Sequence, residues 1–478
     1  MKDFLFHKGL RVACMLMACV ICFSCGGEDD SVLPPTPTNP THTTDPTEPV
    51  NPSEPTDEPT NPTDPVEPAD PVEPADPVDP IGPVEKKHRT VILYMAGDNS
   101  LSHFLQNDNH TGDIDELLKG ASSLDATSLN TNNVLVFIDN AEADFLPTIW
   151  RLSLQDGQPV LQVVKQFETD VVSTDPSVIQ EVVDFAKENY PAESYGFVYW
   201  SHGDGWLPDK ISKLRTNSPL RFIGVDQQNG TIKSENAVRT NIADLAKVLG
   251  SLGQKFEFVL FDACYMLSME VAYELRNCTD YLIASPTETP ASGAPYDTVL
   301  SAMLKDSGVA QDIGKLFYDY YADRYDGSNN NIPSGDNWHG GVAIGVINCT
   351  KLDALASATS KGLQGVSSVE NESLRQDIFN YDRRAYVGLH YFFDMVDLMQ
   401  ALMPSDAFNA WLKAYQDALP YWHSTPKFYA SASRWFSLEG THGLTHYIPQ
   451  KNDCSASSDI AYRSTSWYKD AGLSQLGW

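Results

Sequence analysis

Three residues in the middle of the chain have side chains that could do chemistry together: His202, Asp262 and Cys264. A cysteine attacks a carbonyl carbon as a thiolate, and a neighbouring histidine can take up and return the proton. Gly203, directly after the histidine, would let a backbone N–H approach a developing oxyanion without a side chain in the way. On spacing alone, however, a buried structural cysteine and a core histidine are the commoner interpretation.

The pattern around Cys264 predicts a strand followed by a helix. Residues 256–261 are mostly apolar, which is typical of a strand buried on both faces of a parallel sheet. Leu267, Val271 and Leu275 then lie at helical spacing, so we expect the helix dipole to favour a thiolate at Cys264. Such junctions of strand and helix hold most active sites in open α/β sheets.

Strands and helices also alternate in the preceding region. The pattern predicts strands at 90–95, 133–139 and 194–201, a hairpin over 148–167, and a helix that begins at Pro176 and ends near residue 190. This alternation indicates right-handed crossovers and a parallel sheet. If the strands before His202 and Cys264 are neighbours in that sheet, their ends lie about 5 Å apart.

The first 25 residues are predicted to be a lipoprotein signal peptide. Basic residues precede an apolar run over 12–23, which at about a dozen residues is short for a membrane span. Ser24 and Cys25 close this run and are followed by two glycines and the acidic triplet 28–30. The pattern resembles a bacterial lipobox with a surface-export signal, so we expect Cys25 to be the lipidated first residue of the mature protein. An ordinary cleaved signal with an incidental cysteine is the alternative.

Residues 26–86 are predicted to form an acidic, proline-rich, disordered stalk. Between Gly26 and Val84 there are 14 acidic residues and no Lys or Arg, against a net charge of −31 for the whole chain. The segment has no periodic apolar face, so it cannot offset the entropy of ordering and should stay extended. Much of the negative charge therefore lies in this segment and gives no information about a binding partner. The sequence has no basic patch that would suggest binding to nucleic acid.

The cysteines indicate neither a zinc site nor a necessary disulfide. Four of the eight lie in the signal, and Cys264, Cys278, Cys349 and Cys454 form no CxxC pair. A disulfide among the last three is possible outside the cytoplasm, but a domain of this size does not need one. The oxygen-rich loop over 326–336 lacks the EF-hand spacing and its final Glu, which favours a solvated loop over a calcium site. We therefore predict no metal site and no cofactor.

Three motifs in order change the interpretation of His202 and Cys264. Residues 94–101, 201–206 and 262–266 together resemble the clostripain family of cysteine peptidases, whose fold is shared with caspases, legumains and gingipains. The similarity continues through 394–398, 443–449 and the Trp-rich end, and it covers about 87–478. It implies a caspase-like α/β/α sandwich with a mostly parallel central sheet. It also implies His202 as acid and base, Cys264 as nucleophile, and the backbone N–H groups of Gly203 and Cys264 as the oxyanion hole. Members of this family vary in their need for calcium, so a calcium requirement stays open.

Asp262 gives the clue to the substrate. Strand side chains alternate, so Asp262 and Cys264 should project to the same side of the sheet end. A carboxylate there would pair with a Lys or Arg side chain entering before the scissile bond. The alternative is a helix N-cap. In the family, the residue at this position lines a pocket for basic side chains, and further wall residues lie in the region that matches 287–293. Whether this chain prefers Arg or Lys stays open.

The folded region is predicted to comprise a catalytic core over 87–305 and a C-terminal extension over 306–478 packed on it. In the extension we expect helices near 352–362, 374–380, 393–402 and 407–419, and a pair of strands at 428–438 and 443–448. His339 is assigned to a loop, and His442 and His446 to structural positions.

The sequence thus predicts a cysteine endopeptidase that cleaves protein or peptide substrates after a basic residue. It would be anchored by lipid in the outer membrane and exposed at the cell surface. Members of the family that the chain resembles are commonly made as zymogens cut in this region. The resemblance therefore implies an activating cut within residues 205–221, after one of the basic residues Lys210, Lys213, Arg215 and Arg221. An uncut substrate-binding wall is the alternative for that segment. The rival function is a catalytically idle adhesin or glycan-binding lipoprotein on the same fold.

Overall fold

The computed structural model describes most of the chain after the stalk. The described residues are 86–106, 111–142, 144–206, 223–232, 236–328, 333, 337–366, 369–383, 389–430 and 434–478. Cys25, the acidic triplet 28–30 and the four basic residues between 210 and 221 lie outside them. The described residues cluster into one compact unit. None of the helices among them has the length and apolar character needed to cross a bilayer.

A nine-stranded sheet forms the centre of this unit. The strands along the chain are β1 (Lys87–Gly97), β2 (Asn132–Asn140), β3 (Thr148–Gln155), β4 (Gln158–Gln166), β5 (Ala192–Trp200), β6 (Ile223–Asp226), β7 (Val238–Thr240), β8 (Phe256–Asp262), β9 (Thr279–Ala284), β10 (Ala343–Asn348), β11 (Phe393–Asp394), β12 (Tyr421–Ser424), β13 (Lys427–Ala430), β14 (Arg434–Ser437) and β15 (Thr445–His446). The order across the large sheet is β12-β10-β9-β8-β5-β1-β2-β3-β4. The five central strands from β9 to β2 are parallel, and the two at each side are antiparallel.

The central strands are buried on both faces, as their near-continuous apolar sequences predict. Strands β1, β2, β5 and β8 contain hardly an exposed residue, because packed layers cover both sides of a parallel sheet. The predicted hairpin is also confirmed. Its turn consists of Asp156 at φ 53° and Gly157 at φ 78°, the left-handed pair that suits the twist of a two-residue hairpin.

Helices connect the strands and complete the layers around the sheet. They are α1 (Ser102–Leu105), α2 (Asp113–Ser122), α3 (Ala126–Thr131), α4 (Pro176–Asn189), α5 (Ile242–Gly250), α6 (Met269–Leu275), α7 (Tyr296–Met303), α8 (Val309–Ala322), α9 (Leu352–Gly362), α10 (Asn371–Asp377), α11 (Met395–Leu402), α12 (Ser405–Ala418), α13 (Ser457–Tyr462) and α14 (Ser466–Asp470). Helix α4 begins as predicted: Pro176 occupies its first turn and the Asp175 side chain accepts from the Ser177 N–H.

The C-terminal part extends the same sheet, through β10 and β12. The strand pairing predicted for 428–438 with 443–448 is wrong. Residues 428–438 instead contain a hairpin of their own, β13 with β14, and β15 pairs with β11. Alternating apolar residues run through both β13 and β14, so the pattern did not show that this stretch contains two strands.

Candidate active site

His202 and Cys264 lie at the ends of two neighbouring parallel strands. Strands β5 and β8 pair with Trp200 opposite Asp262, so His202 and Cys264 each lie two residues beyond the same rung. The two ends approach closely: a Cβ built on Gly203 would lie 2.9 Å from the carbonyl oxygen of Cys264 and 2.8 Å from the Cβ of Ala263. Only glycine fits at position 203, and the structure brings the predicted residues together.

The backbone of Gly203 is oriented by a short pairing with β6. Gly203 lies opposite Ile223, and the flanking bond runs from the Gly224 N–H to the carbonyl of His202 at 2.8 Å. In this arrangement the residues of the pair itself direct their N–H groups away from the partner strand. The N–H of Gly203 therefore points away from β6.

His202 is partly buried, and its Nε2 lies 3.0 Å from the hydroxyl oxygen of Ser100. Ser100 follows the end of β1, which is the other neighbour of β5 in the sheet. The sequence analysis did not single out Ser100. Its place in the motif over 94–101, which carries part of the family resemblance, was the available signal.

Cys264 is fully buried, and its sulfur accepts a hydrogen bond from the backbone N–H of Thr289 at 3.3 Å. The hydroxyl of Thr289 donates to the carbonyl of Ala263 at 3.0 Å, which fixes this segment against the strand end. Thr289 lies in the region 287–293 that was predicted to form the wall of the site, although its bond to the thiol was not foreseen.

The helix expected directly after Cys264 begins later, so the predicted dipole effect is wrong. Tyr265 has φ 62°, a left-handed conformation that no helix continues. The N–H groups of Tyr265 and Leu267 instead bond to the carbonyls of Thr287 and Ser285. Helix α6 begins at Met269, and the dipole effect falls off within the first turn of a helix.

Asp262 is 4% exposed and is held by the segment that follows β9. One of its oxygens accepts from the N–H of Ala294 at 2.8 Å and from the hydroxyl of Tyr296 at 3.0 Å. Gly293, at φ 65°, leaves the space that Asp262 occupies, since a Cβ there would lie 2.7 Å from the carboxylate. The alternative assignment of Asp262 as an N-cap is wrong, because the Ser268 side chain caps α6.

Further carboxylates surround Asp262. Glu116 on α2 accepts from the N–H of Tyr296 at 3.2 Å. Burial, followed by the charge of Asp297, raises the pKa of Glu116 to about 8, and Asp262 adds to this shift. A cavity of about 220 Å³ beside it is lined by residues that include Asp115, Glu116, Ser292, Tyr321 and Arg324. Both acidic and basic side chains therefore line this side of the site.

The other histidines and cysteines have structural surroundings. His339 lies in a loop, as predicted, with Nδ1 2.8 Å from the carbonyl of Asn337. His446 is fully buried, and burial lowers its pKa to about 4. His442 bonds to Asp394, which raises the pKa of the histidine. Cys264, Cys278, Cys349 and Cys454 are buried, and no disulfide joins any two of them.

Known proteins resemble most of this chain. A sequence model of the clostripain family matches residues 93–477. A secreted C11 cysteine protease from Bacteroides thetaiotaomicron, whose X-ray structure is a complex with an irreversible peptide inhibitor, is 36% identical; the match covers 81% of this chain and 99% of that chain, with a TM-score of 0.68. An inactive zymogen C11 protease from Parabacteroides distasonis is 28% identical over the same shares, with a TM-score of 0.64.

Clostripain from Hathewaya histolytica is 25% identical over 244 residues, which are 46% of this chain and 43% of clostripain. The match thus spans less than half of that relative. The family model and the two solved structures extend over far more of the chain, and they confirm the expected caspase-like fold. The chain belongs to the clostripain family of cysteine peptidases.

Proposed function

We propose that this protein is an endopeptidase that cleaves after Arg or Lys, with Cys264 as nucleophile and His202 as acid and base. The observation that carries the proposal is the shared rung of β5 and β8, which places the two side chains at adjacent strand ends. The related C11 protease bound to an irreversible peptide inhibitor supports a peptide as the ligand of such a site.

In the proposed reaction His202 takes the thiol proton of Cys264, and the sulfur attacks the scissile carbonyl carbon and forms a C–S bond. The carbonyl oxygen becomes negative and accepts hydrogen bonds from the N–H groups of Gly203 and Cys264. His202 then gives a proton to the leaving amine as the C–N bond breaks. Water, deprotonated by His202, hydrolyses the thioester and restores the thiol.

Asp262 is proposed to select a basic residue before the scissile bond. It lies two residues before the nucleophile, and the segment over 287–294 contacts both Asp262 and Cys264. Glu116 adds a second carboxyl group to the same side. A neutral side chain in this pocket would leave the buried carboxylate without a counter-charge, so the pocket should reject neutral side chains.

Matched fluorogenic peptides that differ only in Arg, Lys or Gln before the scissile bond test this proposal. The purified protein should cleave the Arg and Lys peptides far faster than the Gln peptide, and Cys264→Ala should cleave none. If the wild type and Cys264→Ala bound these peptides equally and neither cleaved them, the idle adhesin or glycan-binding module would be supported instead.

Activation is proposed to require a cut within 205–221. Cys264 is fully buried and Asp262 nearly so, and a substrate must reach both. The described chain resumes after this segment at Ile223, which pairs with Gly203, the neighbour of His202. Its basic residues would suit the enzyme's own preference. The Parabacteroides distasonis relative, known as an inactive zymogen, supports a latent form in this family.

The two fragments of a cut chain should stay associated, because β5 and β8 would belong to different fragments and still pair at the centre of the sheet. On denaturing gels the active protein should show two bands, whereas Cys264→Ala should remain whole. N-terminal sequencing should place the cut after Lys210, Lys213, Arg215 or Arg221. A fully active, uncut chain would contradict the activation step and favour a substrate-binding wall.

The same chain is proposed to be a lipoprotein of the outer membrane. A diacylated Cys25 with an added acyl chain would supply the two-chain anchor that stable attachment needs. Cys25→Ala should therefore move the protein from the membrane fraction to the soluble fraction. Replacing Glu28, Asp29 and Asp30 by Ala should leave the lipid attached but remove protease accessibility on intact cells.

A further inference from the structure

Three aspartates meet near the carboxyl ends of β1, β2 and β6. Asp98 follows β1, Asp139 lies near the end of β2, and Asp226 ends β6. All three are fully buried. One carboxylate oxygen from each lies within 4.8 Å of the oxygens from the other two.

Hydrogen bonds satisfy these carboxylates unequally. Asp226 accepts from the N–H and hydroxyl of Ser173 at 2.6 and 2.9 Å, and from the N–H of Gln228 at 3.0 Å. One oxygen of Asp98 accepts from the N–H of Asn229 at 2.5 Å, and its other oxygen has no donor. Neither oxygen of Asp139 has a donor, although both are buried.

Positive charge is missing as well. Among the described residues, no Lys, Arg or His side chain forms an ion pair with any of the three aspartates. A buried carboxylate without donor or counter-charge is costly, so the folded protein gains from anything that neutralises it.

The geometry suits a metal ion. Ca²⁺ holds oxygen ligands at about 2.3–2.6 Å, so two ligands of one ion lie at most about 5 Å apart. The three aspartate oxygens are within this limit. A proton would neutralise one carboxylate, whereas a divalent cation neutralises two and coordinates oxygens that lack donors.

We propose that Asp98, Asp139 and Asp226 bind a hard divalent cation such as Ca²⁺. Backbone carbonyls and water would complete its coordination. Asn229, whose N–H bonds to Asp98, carries a buried side-chain oxygen without a donor and is a candidate for a fourth ligand. The site is distinct from the loop over 326–336, which the sequence analysis considered for calcium.

The cation would also support His202, a consequence that rests on the proposed function. Asp98 is followed by Asn99, whose side-chain amide donates to the carbonyl of Val225 at 3.0 Å and to the Ser201 hydroxyl at 3.3 Å. The next residue is Ser100, the partner of His202. An ion bridging Asp98 and Asp226 would fix β6 against β1.

Calorimetric titration with CaCl₂, after treatment with EDTA and desalting, tests the site on the whole folded protein. The wild type should bind one ion that Asp139→Asn does not bind. Asp397→Asn is the matched control, because Asp397 belongs to a second cluster with Asp394 and His442. In that cluster His442 supplies the positive charge, so this variant should bind Ca²⁺ like the wild type.

Thermal unfolding gives a second readout with a characteristic change of sign. CaCl₂ should raise the Tm of the wild type by about 2 °C or more and leave that of Asp139→Asn unchanged. In EDTA, Asp139→Asn should melt at or above the wild type, because it lacks a buried ionisable group that has no donor. Should Asp139→Asn not fold, Asp98→Asn takes its place.

Either of two results would overturn the proposal: no saturable Ca²⁺ or Mg²⁺ binding by the wild type, or a Tm loss in Asp139→Asn that is equal in CaCl₂ and EDTA. Peptidase assays separate this inference from the proposed function. Ion binding by a protein that cleaves no basic peptide would refute the peptidase and leave the site standing. Cleavage of basic peptides without ion binding would refute the ion site and leave the peptidase standing.

Discussion

The strand-end region around His202 and Cys264 and the C-terminal layer over 306–478 contain the same three residue types in buried or partly buried positions, but use them differently. The first has Cys264, His202 and Asp262; the second has Cys454, His446 and Asp394. In the C-terminal layer, neighbours occupy these groups completely. Asp394 accepts from five donors, which are three backbone N–H groups, the Tyr381 hydroxyl and the His442 ring.

His446 shows the same saturation. Its Nδ1 lies 2.6 Å from the carbonyl of Tyr447, and its Nε2 accepts from the Trp467 indole at 2.8 Å and the Tyr462 hydroxyl at 3.1 Å. His202 instead is partly exposed beside a serine hydroxyl, two residues beyond a rung shared with the Cys264 strand. Residue types alone therefore do not distinguish a reactive site, whereas their position at adjacent ends of parallel strands does.

The largest expected effect separates the two cysteines. Cys264→Ala should lower kcat/KM by a factor on the order of 10⁴ or more, because it removes the nucleophile. Cys454→Ala should leave kcat/KM within about twofold and cost about 1 kcal/mol of unfolding free energy. Steady-state kinetics and urea unfolding of both variants measure this contrast. Comparable activity in the two variants would contradict it.

The aspartates should separate by specificity and stability. Asp262→Asn should reduce kcat/KM for Arg and Lys peptides by about 10²-fold or more and change that for a Gln peptide far less, since the pocket loses its charge. Asp394→Asn should lower the unfolding free energy by about 3 kcal/mol, because donors around it lose their acceptor. The preference of Asp394→Asn for basic peptides should be unchanged. An equal loss of kcat/KM for the Arg, Lys and Gln peptides in Asp262→Asn would contradict the assignment of Asp262 to a pocket for basic side chains.

Acid should destabilise the C-terminal layer through His446. Its pKa is lowered by burial from 6.5 to about 4, so the folded state favours the neutral ring. The unfolded chain takes up this proton first as the pH falls. Its contribution is complete above pH 6.5 and is lost towards pH 4, by about 3 kcal/mol. Urea unfolding at pH 7 and pH 4.5 should therefore show a smaller acid loss in His446→Gln than in the wild type or in His442→Gln.

The smallest effect concerns Ser100, which positions His202. Ser100→Ala should lower kcat by about threefold to tenfold and shift the acid limb of the kcat/KM pH profile, because the ring loses a hydrogen-bond partner. Ser100→Thr, which keeps the hydroxyl, should restore both values. An unchanged pH profile in Ser100→Ala would show that the serine is merely structural.

The sequence predicted the buried parallel strands and the convergence of His202 with Cys264 because both depend on local apolar runs and on one strand pairing. It did not predict where helix α6 begins, since the left-handed Tyr265 has no signature in residue type. Nor did it reveal the meeting of Asp98, Asp139 and Asp226. These residues are far apart in the chain and converge only through the strand order.

Affinity labelling tests the central assignment most directly. An arginyl or lysyl chloromethylketone, incubated with the active protein and mapped by peptide mass spectrometry, should form one adduct on Cys264 and none on Cys278, Cys349 or Cys454. An otherwise identical neutral reagent should react much more slowly, and Cys264→Ala should stay unlabelled. A label on another residue, or no label on a protein that cleaves basic peptides, would contradict Cys264 as the nucleophile.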